Sequence, residues 1–268
     1  MNKTIFLFGN GKLPILILKK IKTENFDSFI IEIGDSQLPK KSVNLSNINL
    51  GKILTILKKL KKNGFNQILM AGSIKRPRLN EIKLDYNSLK LIPKFSKVLL
   101  KGGDNRLLKF VIEELENIGF KVLFLHKILP DFFLGLGSQT AQKVKKVFLD
   151  DIAKGSAILR GISKFDIGQS IVLQEGNVIG VEAAQGTDNL IKQSLPYLIN
   201  VKKGVLIKLI KVNQDLRADL PTIGLKTLNH CFNCGFKGIA YSANKTIFLE
   251  KEKILKFCIQ NKFFLYGI

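Results

Sequence analysis

The sequence predicts an α/β protein of two domains, an N-terminal Rossmann-like parallel α/β domain and a C-terminal mixed-sheet α/β domain. Three observations predict it. In the first half, short apolar runs alternate with stretches of helical spacing, as in strands laid parallel and covered on both faces. After Lys127 this texture breaks at Pro130, Gly135 and Gly137. In the second half, two apolar runs are joined by Glu175-Gly176-Asn177, which reads as a hairpin turn, so antiparallel strands enter. We place the first domain at 1–128, a linker at 129–142 and the second domain at 143–268.

Residues 4–8 are an apolar run closed by Gly9-Asn10-Gly11, a buried strand and tight turn. A helix follows over 13–21 and a second strand over 28–33. Apolar residues at 53, 54, 56, 57 and 60 give helical spacing over 51–63. A third strand, 67–70, ends at Ala71-Gly72. Gly102-Gly103-Asp104 opens a helix over 106–118, and 121–125 is a further strand. Sites in such sheets lie at the carboxyl ends of strands, where the turns at Gly9–Gly11, Ala71-Gly72 and His126 fall. Beyond the linker, 143–159 reads as a helix, 170–174 and 178–183 as the hairpin, and 205–210 as a strand entering a polar loop. A helix over 225–234 follows, and 239–242 with 246–249 reads as another strand pair.

Hydrophobic residues make up 46% and charged residues 24%, so the chain can build a core and is not disordered. Charge is the anomaly: 43 Lys+Arg against 21 Asp+Glu leave a formal net +22. Such an excess suits an anionic partner, nucleic acid or an acidic membrane face. Only five of the basic residues are Arg and there is no Trp. Dedicated nucleic-acid binders lean on Arg forks and stacking aromatics, so we expect no nucleic-acid partner. Three cysteines exclude a disulfide framework. Cys231 and Cys234 beside His230 form a lone C-x-x-C, read either as two packed thiols or as a zinc or redox motif. The apolar N-terminal run breaks too early for a signal segment, and no stretch is long enough to span a membrane. We expect a cytoplasmic protein.

Gly9-Asn10-Gly11-Lys12-Leu13-Pro14 resembles the start of a G-x-G-x-x-G fingerprint, with Pro14 in place of the third glycine and Glu32 near the end of the second strand. A strand-turn-helix of this kind can hold phosphate, or be a plain tight turn. In the second half the few acids gather beside glycines. Asp166-Ile167-Gly168-Gln169 precedes the hairpin, Glu182 ends it, and Gly186-Thr187-Asp188 follows. Lys208, Gln214, Asp215, Arg217 and Asp219 then fall within twelve residues. Singly, these acids can be helix caps: Asp219 or Thr222 for the helix from 225, Asp188 for one from 189. Together they suit Mg²⁺, which takes one or two carboxylates, waters and phosphate oxygens, with Arg217 and Lys208 clamping phosphate.

These strings also carry a resemblance. Gly9-Asn10-Gly11-x-Leu13-Pro14, Ala71-Gly72 followed by Arg76-Pro77, and Gly103-Asp104 before Leu107-Leu108 occur in order. Asp166-Ile167-Gly168-Gln169, Val181-Glu182-Ala183, Gly186-Thr187-Asp188 and Asp219-Leu220-Pro221-Thr222-Ile223-Gly224 follow. Over nearly its whole length the chain resembles the UDP-2,3-diacylglucosamine pyrophosphatases of the LpxI type. The resemblance implies hydrolysis of UDP-2,3-diacylglucosamine to UMP and 2,3-diacylglucosamine 1-phosphate with a divalent metal, Mg²⁺ or Mn²⁺. It also implies a lipid nucleotide held between two α/β domains. Asp219 matches the family's key catalytic aspartate, and Asp215 an acid two residues before the Arg. The chain departs from the family pattern at Asn105 and Gln185, which we do not carry over as ligands.

The expected site follows. Catalytic residues are Asp219, Asp215, Lys208 and Arg217. Substrate-binding residues are Gly9, Asn10, Gly11, Gly72, Arg76, Asp104, Gln169, Thr187 and Thr222. Metal ligands are Asp219, Asp215, Glu182 and Asp188. Helices bearing Phe and Leu between 128 and 159, such as Pro130-Asp131-Phe132-Phe133-Leu134, are candidates for the lip of an acyl groove. Backbone N–H groups of Gly9–Gly11 are expected to meet the substrate. The charge would hold the enzyme at the anionic inner leaflet as a peripheral protein, and a homodimer is possible. The alternatives are a dinucleotide-binding oxidoreductase and a basic protein that binds RNA or membrane.

Overall fold

A computed structural model describes residues 3–34, 38–46, 48, 52–74, 98, 104–140, 143–199, 203–212 and 214–268 of the chain. They cluster into two compact units, Met1–Leu129 with Asp215–Asp219, and Pro130–Gln214 with Leu220–Ile268.

The first unit is a four-stranded parallel sheet with helices. Its elements are β1 (Thr4–Phe8), α1 (Lys12–Thr23), β2 (Ser28–Glu32), α2 (Ile53–Lys62), β3 (Gln67–Ala71), α3 (Asp104–Asn117) and β4 (Lys121–Val122). The strand order is β2-β1-β3-β4, with β1 paired to both β2 and β3 along its five residues. β1 is the unalternating apolar strand and all five of its residues are buried, as a central parallel strand requires. Ile5, Leu7, Ile31 and Ile68 of the sheet form one core with Leu57 and Leu60 of α2 and Ile112 and Leu115 of α3. The fourth strand is shorter than its apolar run suggested. Pairing stops at Val122, and 125–127 is a 3₁₀ turn.

The second unit holds β5 (Gly137–Ser138), α4 (Lys146–Ile162), β6 (Ser170–Gln174), β7 (Asn177–Val181), α5 (Gly186–Ser194) and β8 (Gly204–Lys208). β9 (Thr222–Ile223), α6 (Leu225–Asn233), β10 (Phe236–Tyr241), β11 (Ile247–Phe248), α7 (Lys251–Gln260) and β12 (Phe264–Gly267) complete it. Six strands run in the order β5-β12-β10-β8-β6-β7. β8, β10 and β12 are mutually parallel, β6 runs antiparallel to β8, and β7 antiparallel to β6. The expected fold class, a parallel α/β half followed by a mixed-sheet half, is what the structure has. The hairpin turns at Glu175 and Gly176, both with positive φ, as a two-residue turn with right-handed twist needs. Buried Asp151 on α4 pins this turn, accepting the N–H groups of Glu175 at 2.9 Å and Gly176 at 2.6 Å.

Three expectations are corrected. Residues 239–242 and 246–249 are not a strand pair: β10 lies in the large sheet, whereas β11 pairs with β9 in a parallel two-stranded sheet of its own. None of the three proposed caps is a cap. The N-cap of α6 is Gly224 and that of α5 is Gln185, neither with a side-chain cap hydrogen bond, and Asp188 sits inside the first turn of α5. Of the candidate lip residues, Phe148 and Leu149 lie on α4, but Phe132, Phe133 and Leu134 are not on an α-helix. Pro130–Phe132 is a single 3₁₀ turn and Leu134 is buried in the core. Among the described residues no helix is long and apolar enough to cross a membrane.

Candidate functional site

In the first unit the strand order reverses between β1 and β3, so the loops after those strands flank the switch point where α/β sheets commonly bind ligands. Here the two loops close on one another. Gly9 N–H donates to the Ala71 carbonyl at 2.9 Å, Asn10 N–H to the Ser73 carbonyl at 2.7 Å, and Ser73 N–H to the Asn10 carbonyl at 2.9 Å. A Cβ on Gly9 would stand 2.4 Å from the Ser73 carbonyl oxygen, and one on Gly72 (φ +90°) would stand 2.7 Å from Pro14. Both glycines are thus required by the approach of the two loops. The backbone N–H groups of Gly9 and Asn10 are consumed there, which corrects the expectation that they meet the substrate. Gly11, at φ +114°, is the N-cap of α1, and a Cβ there would meet nothing within 4 Å. Asp104 is the first residue of α3, and Arg76 lies outside the described residues.

The polar loop after β8 brings three of the expected residues into one turn of the first unit. Arg217 holds both carboxylate oxygens of Asp215, Nε to Oδ1 at 2.9 Å and Nη2 to Oδ2 at 2.7 Å, while its backbone N–H donates to Oδ1 at 3.0 Å. Arg217 Nη1 pairs with Glu116 of α3. Asp219 N–H returns to the Asp215 carbonyl at 3.2 Å, and Ala218 packs on the core of the first unit. The Arg217 hydrogen bonds hold the Asp215 carboxyl below its usual range, and the two carboxylates raise the Arg217 guanidinium. A metal at Asp215 would therefore compete with a bidentate Arg. Glu116 belongs to this arrangement, and its place in an ordinary amphipathic helix gave no sequence signal.

In the second unit the carboxyl ends of β8 and β7 and the amino end of β6 meet at one sheet edge, where Lys208 is paired with Ser170. The short turn from Glu182 then starts α5, whose first N–H groups present partial positive charge. Thr187, in the first turn of α5, links two buried charges: Lys208 Nζ donates to its Oγ1 at 2.8 Å, and that hydroxyl donates to Glu182 Oε1 at 2.7 Å. Glu182 is 8% exposed and Lys208 7%. Glu182 Oε2 also accepts the Gln169 N–H at 3.3 Å. Gly168 makes this approach possible, since a Cβ there would stand 2.0 Å from the Glu182 carbonyl oxygen. Ser170 Oγ lies 3.4 Å from Thr187 Oγ1; sequence reasoning missed it because it opens an apolar strand. Gln169, Glu182, Thr187 and Lys208, scattered over forty residues of sequence, are thus one constellation.

Asp188 turns the other way. Its Oδ2 accepts from Lys226 of α6 at 2.8 Å, and its Oδ1 lies 3.8 Å from His230 Nδ1. The Lys226 hydrogen bond holds its carboxyl below the usual range. Thr222 is the first residue of β9, its hydroxyl 3.3 Å from the Leu220 carbonyl oxygen. Cys231, Cys234 and Cys258 are free and buried. Burial pushes all three thiols up, Cys258 to about 12, as it does for thiols packed in an apolar core. Of the four expected metal ligands, Asp215 and Asp219 belong to the first unit and Glu182 and Asp188 to the second. Among the described residues no three His, Cys, Asp or Glu gather around a common point. One or two carboxylates per unit suit Mg²⁺, which completes its octahedron with waters and phosphate oxygens, and do not suit an all-protein cage.

Comparison with known proteins gives a match over both halves. Residues 3–132 match the LpxI N-terminal domain and residues 135–266 the LpxI C-terminal domain. The chain is 30% identical over 277 residues to the UDP-2,3-diacylglucosamine pyrophosphatase LpxI of Caulobacter vibrioides, covering 100% of this chain and 98% of that protein. Among solved structures, the ADP complex of an N5-carboxyaminoimidazole ribonucleotide synthetase covers 72% of this chain and 44% of its own, at 13% identity. Its TM-score of 0.22 is too low to bear on fold or site.

Proposed function

The chain belongs to the LpxI family, and from that membership we propose that it is a UDP-2,3-diacylglucosamine pyrophosphatase of lipid A biosynthesis. We propose further that it releases UMP and 2,3-diacylglucosamine 1-phosphate, that water attacks the phosphorus on the sugar side, and that Mg²⁺ or Mn²⁺ is required. The observation that carries the chemistry is the buried ammonium of Lys208, held against the first turn of α5 by Thr187. A pyrophosphate diester carries about two negative charges, and displacement at phosphorus is fast only where those charges are offset in place. Lys208 and the first N–H groups of α5 supply fixed positive charge with water largely excluded, and Glu182 is its counter-charge one hydroxyl away. Glu182, through Thr187, keeps that ammonium ordered before substrate arrives.

Asp219 is the carboxylate we assign to the divalent cation or to the attacking water. Pro221 fixes the backbone two residues on, and the Asp215–Arg217 pair orders the turn that presents it. A bound divalent cation would neutralise phosphate charge and lower the pKa of its water. Membership of the LpxI family argues against the oxidoreductase alternative, and the N–H groups of Gly9 and Asn10, which would face a dinucleotide pyrophosphate, are bonded to the loop after β3. The substrate's acyl chains and the protein's net +22 also favour work at an anionic membrane face.

The test is incubation of the purified protein with UDP-2,3-diacylglucosamine, with and without EDTA, reading UMP. The proposal expects UMP with Mg²⁺ or Mn²⁺ and none with the chelator. No UMP under any metal condition refutes the activity, and an undiminished rate in EDTA refutes the metal requirement.

A further inference from the structure

Two mutually bonded loops of the second unit carry exposed apolar side chains at the end of the sheet where Lys208 lies. One, between α4 and β6, carries Phe165 at 65% exposure and Ile167 at 46%; the other, after β8, carries Val212 at 51%. The loops are tied to each other. Val212 N–H donates to the Ser163 hydroxyl, and Lys211 Nζ meets Asp166 Oδ1 at 2.6 Å. Lys164 Nζ stands 5.0 Å over the Phe165 ring. Two residues beyond Ile167, the Gln169 carbonyl accepts the Leu209 N–H at 2.9 Å, so the patch borders the constellation described above.

We propose that Phe165, Ile167 and Val212 form the face by which the second unit seats on an anionic lipid bilayer. Single exposed apolar residues are ordinary; three carried on two mutually bonded loops form a surface. Charge selects the occupant. Arg160 and Lys164 are exposed, Lys211 is partly so, and the loop's acid, Asp166, is already paired with Lys211. Apolar tips in a cationic rim match the headgroup boundary of an anionic leaflet, where apolar insertion and electrostatic attraction add. A second copy fits worse, since a two-fold contact would press the exposed Arg160 and Lys164 against their own images. The position beside Lys208 rests on the proposed function, under which a membrane-borne substrate enters at this edge; bilayer seating itself does not.

The experiment is sedimentation of the full chain with vesicles of phosphatidylcholine alone, or mixed with phosphatidylglycerol, at physiological salt and without substrate. The wild type is expected to partition to the mixed vesicles. The double variant Phe165→Ser/Ile167→Ser should partition about tenfold or more weakly, the magnitude expected for losing two inserted apolar side chains. The control Tyr197→Ser/Ile199→Ser removes exposed apolar residues of 68% and 78% exposure elsewhere and should leave partitioning unchanged. Equal partitioning of wild type and the patch variant overturns the proposal, as does an equal loss in the control. So does a patch variant that converts a dimer to monomers without changing vesicle binding. UMP release from detergent-dispersed substrate separates the two readings. Vesicle binding through the patch without UMP release leaves the seating and removes the activity; UMP release with unchanged vesicle binding does the reverse.

Discussion

Replacing Thr187 with valine keeps the volume and removes one oxygen. That oxygen lies 2.8 Å from the Lys208 ammonium and 2.7 Å from a Glu182 carboxylate oxygen, and both charged residues are less than a tenth exposed. A hydrogen bond to a charged group is worth about 1.5–3 kcal/mol, and an unmet buried charge costs more than an unmet neutral group. Two such bonds set an upper bound near 6 kcal/mol. Glu182 retains the Gln169 N–H, and the Ser170 hydroxyl is close enough to turn toward the vacancy. We therefore expect Thr187→Val to lose about 2–4 kcal/mol, a melting temperature lower by about 5–15 °C. Thr187→Ser keeps the oxygen and should lose only about 1 kcal/mol with the methyl group. If Lys208 offsets phosphate charge, kcat/KM for UMP release should fall about 10²–10³-fold in the valine variant and recover in the serine variant. Calorimetry and initial rates on the three proteins decide it. Valine and serine variants that melt together and turn over alike would show that the constellation holds nothing in place.

Gly9→Ala drives a methyl group to 2.4 Å from the Ser73 carbonyl oxygen, so the loops after β1 and β3 must part; a loss of about 1–3 kcal/mol in denaturant unfolding is expected, and an unchanged midpoint would contradict the contact. Asp151→Ala strips the β6–β7 turn of a carboxylate that accepts two N–H groups, and should cost about 2–4 kcal/mol without altering KM. Asp188 and Asp215 both titrate lower folded than unfolded, so the stability they add is present above the unfolded carboxylate range and is lost as pH falls through their folded values. Asp188→Asn and Asp215→Asn should each flatten the fall in melting temperature below about pH 4, and a variant as acid-sensitive as the wild type would count against its ion pair.

Much of the fold is legible because periodicity reports burial. Thr4–Phe8 reads as a central strand since all five residues are buried, and the hairpin reads from its turn glycine. What the sequence hides is pairing between distant segments. Nothing local says that Ile247–Phe248 will join Thr222–Ile223 rather than its neighbour Phe236–Tyr241, because pairing follows the tertiary arrangement. The candidate site divides likewise. Thr187, Glu182 and Gln169 are visible as polar residues near glycines and Lys208 as a charge ending an apolar strand, and their geometry follows from the antiparallel register Ser170–Lys208. The bidentate hold of Arg217 on Asp215 is less legible, since a ligand carboxylate and an ion-paired one look alike in sequence. Gly9 and Gly72 mislead most, since glycines that let two loops touch have the spacing of glycines that let a phosphate approach.

We assign to this chain the cleavage of a lipid-linked UDP-sugar with Asp219 at the reacting centre. The most direct measurement is kcat for UMP release by wild type and Asp219→Ala on the same substrate and metal, with melting temperatures taken in parallel. The expected result is a loss on the order of 10²–10³-fold in kcat with the melting temperature within a few degrees of wild type. Wild-type turnover in the alanine variant, or no UMP from the wild type itself, would contradict it.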